Sequence, residues 1–216
     1  MSRLKIAFYG GSFDPPHLGH MAVAQGLLRQ FELDEFVFLP AFHAPHKKRA
    51  APTSPFDRYA MLCLVTEHER RISVSKLEVE QPAKPYTVET LLRLKTWLAD
   101  AQIFFVMGAD SWSQIRTWRE WESVLTLTDQ IVVTRPGFPL GVDHITRDIR
   151  ERVIDLQEGR PAPADDGKQH IYFSDAAEVD ISATAIRQMI REGDETWREQ
   201  VPKQVANYIE KYNIYT

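Results

Sequence analysis

The sequence predicts a doubly wound α/β fold with a mostly parallel sheet. Three observations carry this. Short, nearly continuous apolar runs recur along the chain, and segments with apolar residues at helical spacing lie between them. The first apolar run leads through a glycine- and proline-rich turn, GGSFDPPHLGH at 10 to 20, into the first helical segment. Strands buried on both faces read as unbroken apolar stretches, and their alternation with helices implies crossovers between parallel strands.

In chain order, the strands are expected at LKIAFY (4 to 9), EFVFLP (35 to 40), RISVSKLEVE (71 to 80), QIFFVMG (102 to 108), DQIVVTR (129 to 135) and HIYFS (170 to 174). Met21, Ala24, Leu28 and Phe31 share one helical face, as do Val88, Leu91, Leu92 and Leu98. Ser54 followed by Pro55 predicts a capped helix from 55 to about 68. Ile145, Ile149, Val153 and Leu156 fit one side of a further helix, and Ser182 to Gly193 fits a last one with glycine as its stop. Residues 41 to 55 read as a basic surface loop after the second strand, and 158 to 169 as a flexible connection. There is no internal repeat.

The bulk properties narrow the function. A chain of 216 residues fits one domain, 1 to 216, with a small helical C-terminal part from about 182. The single cysteine, Cys63, excludes an intrachain disulfide and a cysteine-cluster metal site, and suits a reducing compartment; the cytosol is the expected location. The N-terminal apolar run is too short for a signal peptide, and no segment reaches the roughly 20 apolar residues of a membrane span. A net charge of −4 gives no broad basic field for nucleic acid, although KKR at 47 to 49 is a local positive cluster. Neither nucleic acid nor membrane is an expected partner, and the sequence leaves self-association open.

The turn at 10 to 20 follows the first strand and precedes the first helix, where a helix N-terminus offers backbone N–H groups to an anion. It matches neither a Walker loop nor GxGxxG. Gly10 and Gly11 permit close backbone approach, while Pro15 and Pro16 stiffen the turn. His17 and His20 are three apart and share a face if the helix has begun. Imidazole serves a phosphate either as a neutral donor or as a cation, and a bound triphosphate would raise the proton occupancy of both. A zinc pair lacks a third ligand, and either histidine taken singly is more often a structural group.

GGSFDPPHLGH resembles the signature loop of the nucleotidyltransferase superfamily that uses an HxGH-type histidine pair. ISATAIR at 181 to 187 is similar to its second signature, with Ser182 opening a helix and Arg187 further along it. APHKKR (44 to 49), PYTVETL (85 to 91), GADSW (108 to 112), Thr117 with Trp118, and RPG (135 to 137) are similar in order and spacing to the bacterial nicotinate-nucleotide adenylyltransferase family. Ala44 departs from the proline common there, and 138 to 170 match loosely.

The resemblance implies a Rossmann-like nucleotidyltransferase fold and adenylyl transfer from ATP to nicotinate mononucleotide, giving nicotinate adenine dinucleotide and pyrophosphate. It implies Mg²⁺ held mainly by substrate phosphates, with no protein metal site. By the resemblance, Gly10, Gly11, Ser12, Phe13, His17, His20, Gly108, Asp110, Ile181, Ser182 and Arg187 form the ATP site, with His17 and His20 catalytic. His46, Lys47, Tyr86, Thr87, Trp118 and Arg135 form the acceptor site. In it the Tyr86–Thr87 segment faces the pyridine, and Trp118 stacks on it. Thr87 is a credible N-cap for its helix.

Read singly, these residues also have plainer accounts. WSQIRTWREW (112 to 121) fits an amphipathic surface helix with core-facing aromatics, Arg187 a surface salt bridge, Asp110 a helix cap, and His46, Lys47 and Arg135 a solvated basic loop. A sister enzyme acting on nicotinamide mononucleotide or phosphopantetheine, and a silent nucleotide sensor, are the competing functions. Chain length and the PYT and TW segments weigh against the phosphopantetheine type. Both histidines, Ser182 and Arg187 weigh against the sensor.

Overall fold

The computed structural model describes residues 3–42, 53–81, 86–134, 140–176 and 181–216. Its sheet has seven strands: β1 (Lys5–Gly11), β2 (Glu35–Pro40), β3 (Ile72–Val74), β4 (Gln102–Gly108), β5 (Asp129–Val133), β6 (Val153–Asp155) and β7 (Ile171–Ser174). They lie in the order β3-β2-β1-β4-β5-β7-β6, and every pairing is parallel.

The strands are apolar because both faces are covered. Ile6, Phe8, Val37, Leu39 and Phe105 face one core, shared with α3 (Thr87–Trp97), α4 (Ala109–Ser113) and α5 (Trp121–Leu127). Ala7, Phe36, Phe38, Phe104 and Val106 face the other, shared with α1 (Leu18–Gln30) and Leu62 of α2 (Pro55–Thr66). Alternate residues of each strand thus enter opposite cores, as the two-residue strand period demands. The α2 start is as expected: Pro55 is the first helical residue and Ser54 Oγ accepts a bond from the Phe56 N–H at 3.3 Å.

Two expected elements differ. The third strand ends at Val74 rather than 80, because Ser75 Oγ caps the N–H of Leu77 at 3.1 Å and turns the chain away. The helix expected through Ile145, Ile149, Val153 and Leu156 is a single turn, α6 (Arg147–Arg150), after which the chain becomes edge strand β6. Val153 packs toward the first core, while Ile154 and Leu156 face the second, so the period there is nearer two than 3.6.

After β7, α7 (Ala183–Glu192) stops at Gly193, φ 72°, as its sequence predicts. A 3₁₀ turn (Glu195–Gln200) and α8 (Lys203–Tyr212) follow. Ile186, Trp197, Val201, Val205 and Ile209 close a smaller cluster with Met61 of α2. No helix among the described residues is long and apolar enough to cross a membrane.

Strand order reverses between β1 and β4, so their carboxyl ends bound the crevice where open α/β sheets bind ligands. The turn after β1 and the start of α4 after β4 both open onto it. The fold therefore places GGSFDPPHLGH beside GADS.

Candidate functional site

The site is built around the turn between β1 and α1. At Gly10 a Cβ would lie 2.8 Å from the Phe105 ring, and at Gly11 2.8 Å from the Phe13 ring. Both rings are buried. The glycines thus make room for inward aromatic packing, a requirement beyond the close ligand approach their sequence position suggests. Phe13 takes a left-handed φ of 49°, which drives its ring into the core, edge-on to Tyr9, Phe38 and His20. Its side chain is unavailable to a ligand; its backbone, like that of Ser12, is what the turn can offer.

His17 is the N-cap of α1 and His20 its third helical residue. Their rings stack at 3.6 Å between centroids, tilted by 27°, so the pair does share one face. The His17 N–H donates to His20 Nδ1 at 3.1 Å. With Nδ1 accepting, neutral His20 carries its proton on Nε2 and can donate there without being charged. Charging it would set two N–H groups against each other.

The second motif reaches the same place from the far end of the chain. Ser182 is the N-cap of α7. A Cβ at Gly19 of α1 would lie 3.8 Å from that of Ile181. Arg187 Nη1 donates to the Asp14 carbonyl at 2.5 Å across a separation of 173 residues. The chain is guided there by a tight contact: a Cβ at Gly26 would run into the Ala176 carbonyl oxygen.

Arg58 holds the surrounding loops, and sequence reasoning missed it. Fully buried in α2, it donates to the carbonyls of Thr53 (3.0 Å), Ser12 (2.5 Å), Ala41 (2.6 Å) and Phe42 (3.2 Å). One guanidinium thus ties the turn after β1 to the segments after β2 and before α2. Burial pulls its pKa down, opposed by the charge of Asp14 and by Tyr215. The available signal was an arginine on the face that also buries Met61 and Leu62.

On the other side of the crevice, Gly108 is the N-cap of α4 and Asp110 is exposed in its first turn. The segment 112 to 121 is not one helix: α4 ends at Ser113, a 3₁₀ turn spans Ile115–Thr117, and Trp118 is extended before α5. Trp118 is half-buried and edge-on to Phe105 at 6.4 Å. Tyr86, rather than Thr87, is the N-cap of α3; its N–H donates to Glu89 Oε2 at 3.3 Å, and Thr87 is the first helical residue. Arg119, also missed, lies 4.6 Å over the Tyr86 ring and 3.6 Å from Glu89 Oε1, joining the α3 start to the residue beside Trp118. His46, Lys47 and Arg135 lie outside the described residues.

Among the described residues, no group of three or more His, Cys, Asp or Glu side chains could hold a metal ion. Among the described residues, the charged groups seen on the turn are Arg58, Arg187 and the turn's own carboxylate, Asp14. That donor set suits a polyanion better than a bare cation.

Stacked histidines at one helix start, a second helix start brought against them, and a switch-point crevice define a nucleotide-binding α/β protein. The chain belongs to the cytidylyltransferase-like family, whose model matches residues 8–189, and within it to the nicotinate-nucleotide adenylyltransferases. A protein of Desulfatibacillum aliphaticivorans named "Probable nicotinate-nucleotide adenylyltransferase" is 34% identical over 98% of this chain and 100% of its own length. A protein of the same name from Thermus thermophilus is also 34% identical, over 98% of this chain and 100% of its own. The Plasmodium falciparum nicotinic acid mononucleotide adenylyltransferase solved with NaAD shares the fold, with a TM-score of 0.74 over 99% of this chain and 98% of that one at 18% identity.

Proposed function

We propose that this chain transfers the adenylyl group of ATP to nicotinate mononucleotide, forming nicotinate adenine dinucleotide and releasing pyrophosphate, a step in NAD biosynthesis. The acceptor phosphate oxygen attacks the α-phosphorus; that P–O bond forms as the bond to the pyrophosphate oxygen breaks. The observation that carries the reading is the meeting of His17, His20, Ser182 and Arg187 at one crevice. The names of its full-length relatives support the choice of reaction.

In this reading His17 and His20 hold the α- and β-phosphates, with His20 donating from Nε2. Ser182 with the α7 start, and Arg187, hold the β- and γ-phosphates. Backbone N–H groups at Gly10, Gly11, Ser12 and Phe13 line the turn, with Gly108, Asp110 and Ile181 around the rest of the nucleotide. Catalysis is then positioning plus stabilisation of the charge leaving with pyrophosphate, and needs no protein nucleophile. Mg²⁺, which the resemblance implies, would be held mainly by the substrate phosphates and would supply neutralisation of that charge.

The α3 start at Tyr86 and Thr87 reads the nicotinate carboxylate, Trp118 stacks on the pyridine ring, and His46, Lys47 and Arg135 meet the acceptor phosphate. The chain acts as one domain, in the cytosol. The test is pyrophosphate release from ATP and Mg²⁺ with nicotinate or nicotinamide mononucleotide. Fast release with the nicotinate form alone is expected. Equal rates would sink the carboxylate assignment, and release with neither would overturn the function.

A further inference from the structure

Asp14 places a carboxylate inside a site proposed to hold a triphosphate, and its surroundings are unusual for a buried acid beside an arginine. Its side chain is 10% exposed and that of Arg187 19%, yet Asp14 Oδ2 and Arg187 Nη1 stand 3.9 Å apart. The shorter contact is with a neutral group: the Tyr215 hydroxyl donates to Asp14 Oδ1 at 2.7 Å, 201 residues along the chain. Arg187 instead directs Nη1 to the carbonyls of Asp14 (2.5 Å) and Ala183 (3.3 Å), and Nη2 to Thr184 Oγ1 (3.3 Å). Arg58 also faces Asp14 electrostatically, but its N–H groups go to loop carbonyls.

A guanidinium and a carboxylate left to themselves close into a forked pair. Here the phenol anchors Oδ1, and Oδ2 stands 3.9 Å from Nη1, so the fork is not closed. We infer that Tyr215 is a positioning residue for the ATP site: by holding Asp14, its hydroxyl prevents the carboxylate from sequestering Arg187 and leaves that guanidinium available to the triphosphate. The phenol can do this at every working pH, since burial, and next the Asp14 charge, hold its proton far above the ordinary tyrosine range. Ring packing is a separate matter, because Tyr215 also rests against the Trp197 and Ile209 cluster. Tyr215→Phe removes the hydroxyl and keeps the ring.

The inference rests on Arg187 meeting ATP phosphates, as proposed above. Its test measures kcat and both KM values for the wild type, Tyr215→Phe, Asp14→Asn and the double variant, with thermal unfolding alongside. Tyr215→Phe should raise the ATP KM about tenfold, which corresponds to about 1.4 kcal/mol. Its kcat and acceptor KM should stay within about twofold of the wild type. In the Asp14→Asn background, where no charge competes for Arg187, the same substitution should change the ATP KM less than about twofold.

An unchanged ATP KM in active Tyr215→Phe would overturn the assignment. So would an equal rise in both backgrounds, or a joint fall of kcat, both affinities and unfolding temperature, which marks a merely structural contact. Should Asp14→Asn not fold, calorimetry with α,β-methylene ATP decides: Tyr215→Phe must bind it about tenfold more weakly. That binding needs no acceptor, so a wild type that binds the analogue without turnover refutes the reaction and leaves the Tyr215 assignment standing. A wild type that fails to bind it refutes the ATP site and the inference together.

Discussion

Replacing Glu78 with glutamine should make the protein more stable above neutral pH and leave it nearly unchanged in acid. Glu78 lies in the turn after β3, and its Oε1 accepts the Thr90 hydroxyl of α3 at 2.9 Å. Burial pushes its carboxyl up to about 7 from 4.5, against the opposing pull of that hydrogen bond. The folded state therefore holds a proton that the unfolded chain has released between about pH 4.5 and 7. Stability falls as pH rises through that window and is level above it. At about 1.36 kcal/mol per unit, ionised Glu78 costs the fold up to about 3 kcal/mol at pH 8. Glutamine cannot ionise, and its carbonyl still accepts from Thr90. Asp129 is also raised, chiefly by burial, but it is common to both proteins and cancels in the difference. Urea unfolding followed by tryptophan fluorescence at pH 5 and pH 8 gives that difference directly. Glu78→Gln should gain up to about 3 kcal/mol at pH 8 and under about 1 kcal/mol at pH 5. A gain independent of pH, or a loss at pH 8, would refute the reasoning.

His20→Ala should lower kcat by about 10²- to 10³-fold, as removal of one transition-state donor does, and near-normal turnover would take His20 out of that role. The same change costs the α1 start its bond from the His17 N–H, so urea unfolding should show a loss of about 1 kcal/mol as well. Gly26→Ala should destabilise by about 2 kcal/mol or more, although alanine is the better helix former, because its Cβ runs into the Ala176 carbonyl oxygen. A variant as stable as the wild type in urea would show that the chain after β7 yields freely.

The parallel sheet was legible because each central strand is buried on both sides and reads as an apolar run, as FVFL in β2 and IFFVM in β4 do. Strand β6 was not, because a string that sends Val153 one way and Ile154 and Leu156 the other also has Ile145, Ile149, Val153 and Leu156 at helical spacing. Arg152 fixes the outcome from outside the strand by donating to the Leu125 and Gln169 carbonyls at 3.0 and 2.7 Å. Sequence pattern, by spacing for His17 and His20 and by motif resemblance for Ser182 and Arg187, pointed to one site. It could not reveal Arg58, Arg119 or Tyr215, whose partners are backbone carbonyls, a ring or a carboxylate distant in sequence. A side chain that serves remote backbone leaves no periodic mark of its own.

Packing and hydrogen bonds from distant parts of the chain hold the turn in one shape. From Gly10 to Asp14 every position is held by protein: Phe105 fills the space at Gly10, the Phe13 ring that at Gly11, Arg58 takes the Ser12 carbonyl, and Arg187 that of Asp14. Donors fixed before the substrate arrives need no reorganisation as charge moves to the leaving group, the condition under which positioning lowers a barrier. The same packing means that alanine at Gly10 or Gly11 perturbs the fold and the phosphate approach at once. A lost activity in those variants would therefore not identify which had failed. The phosphate contacts proposed above are better tested at His20 and Arg187, whose side chains can be shortened without displacing a core aromatic ring.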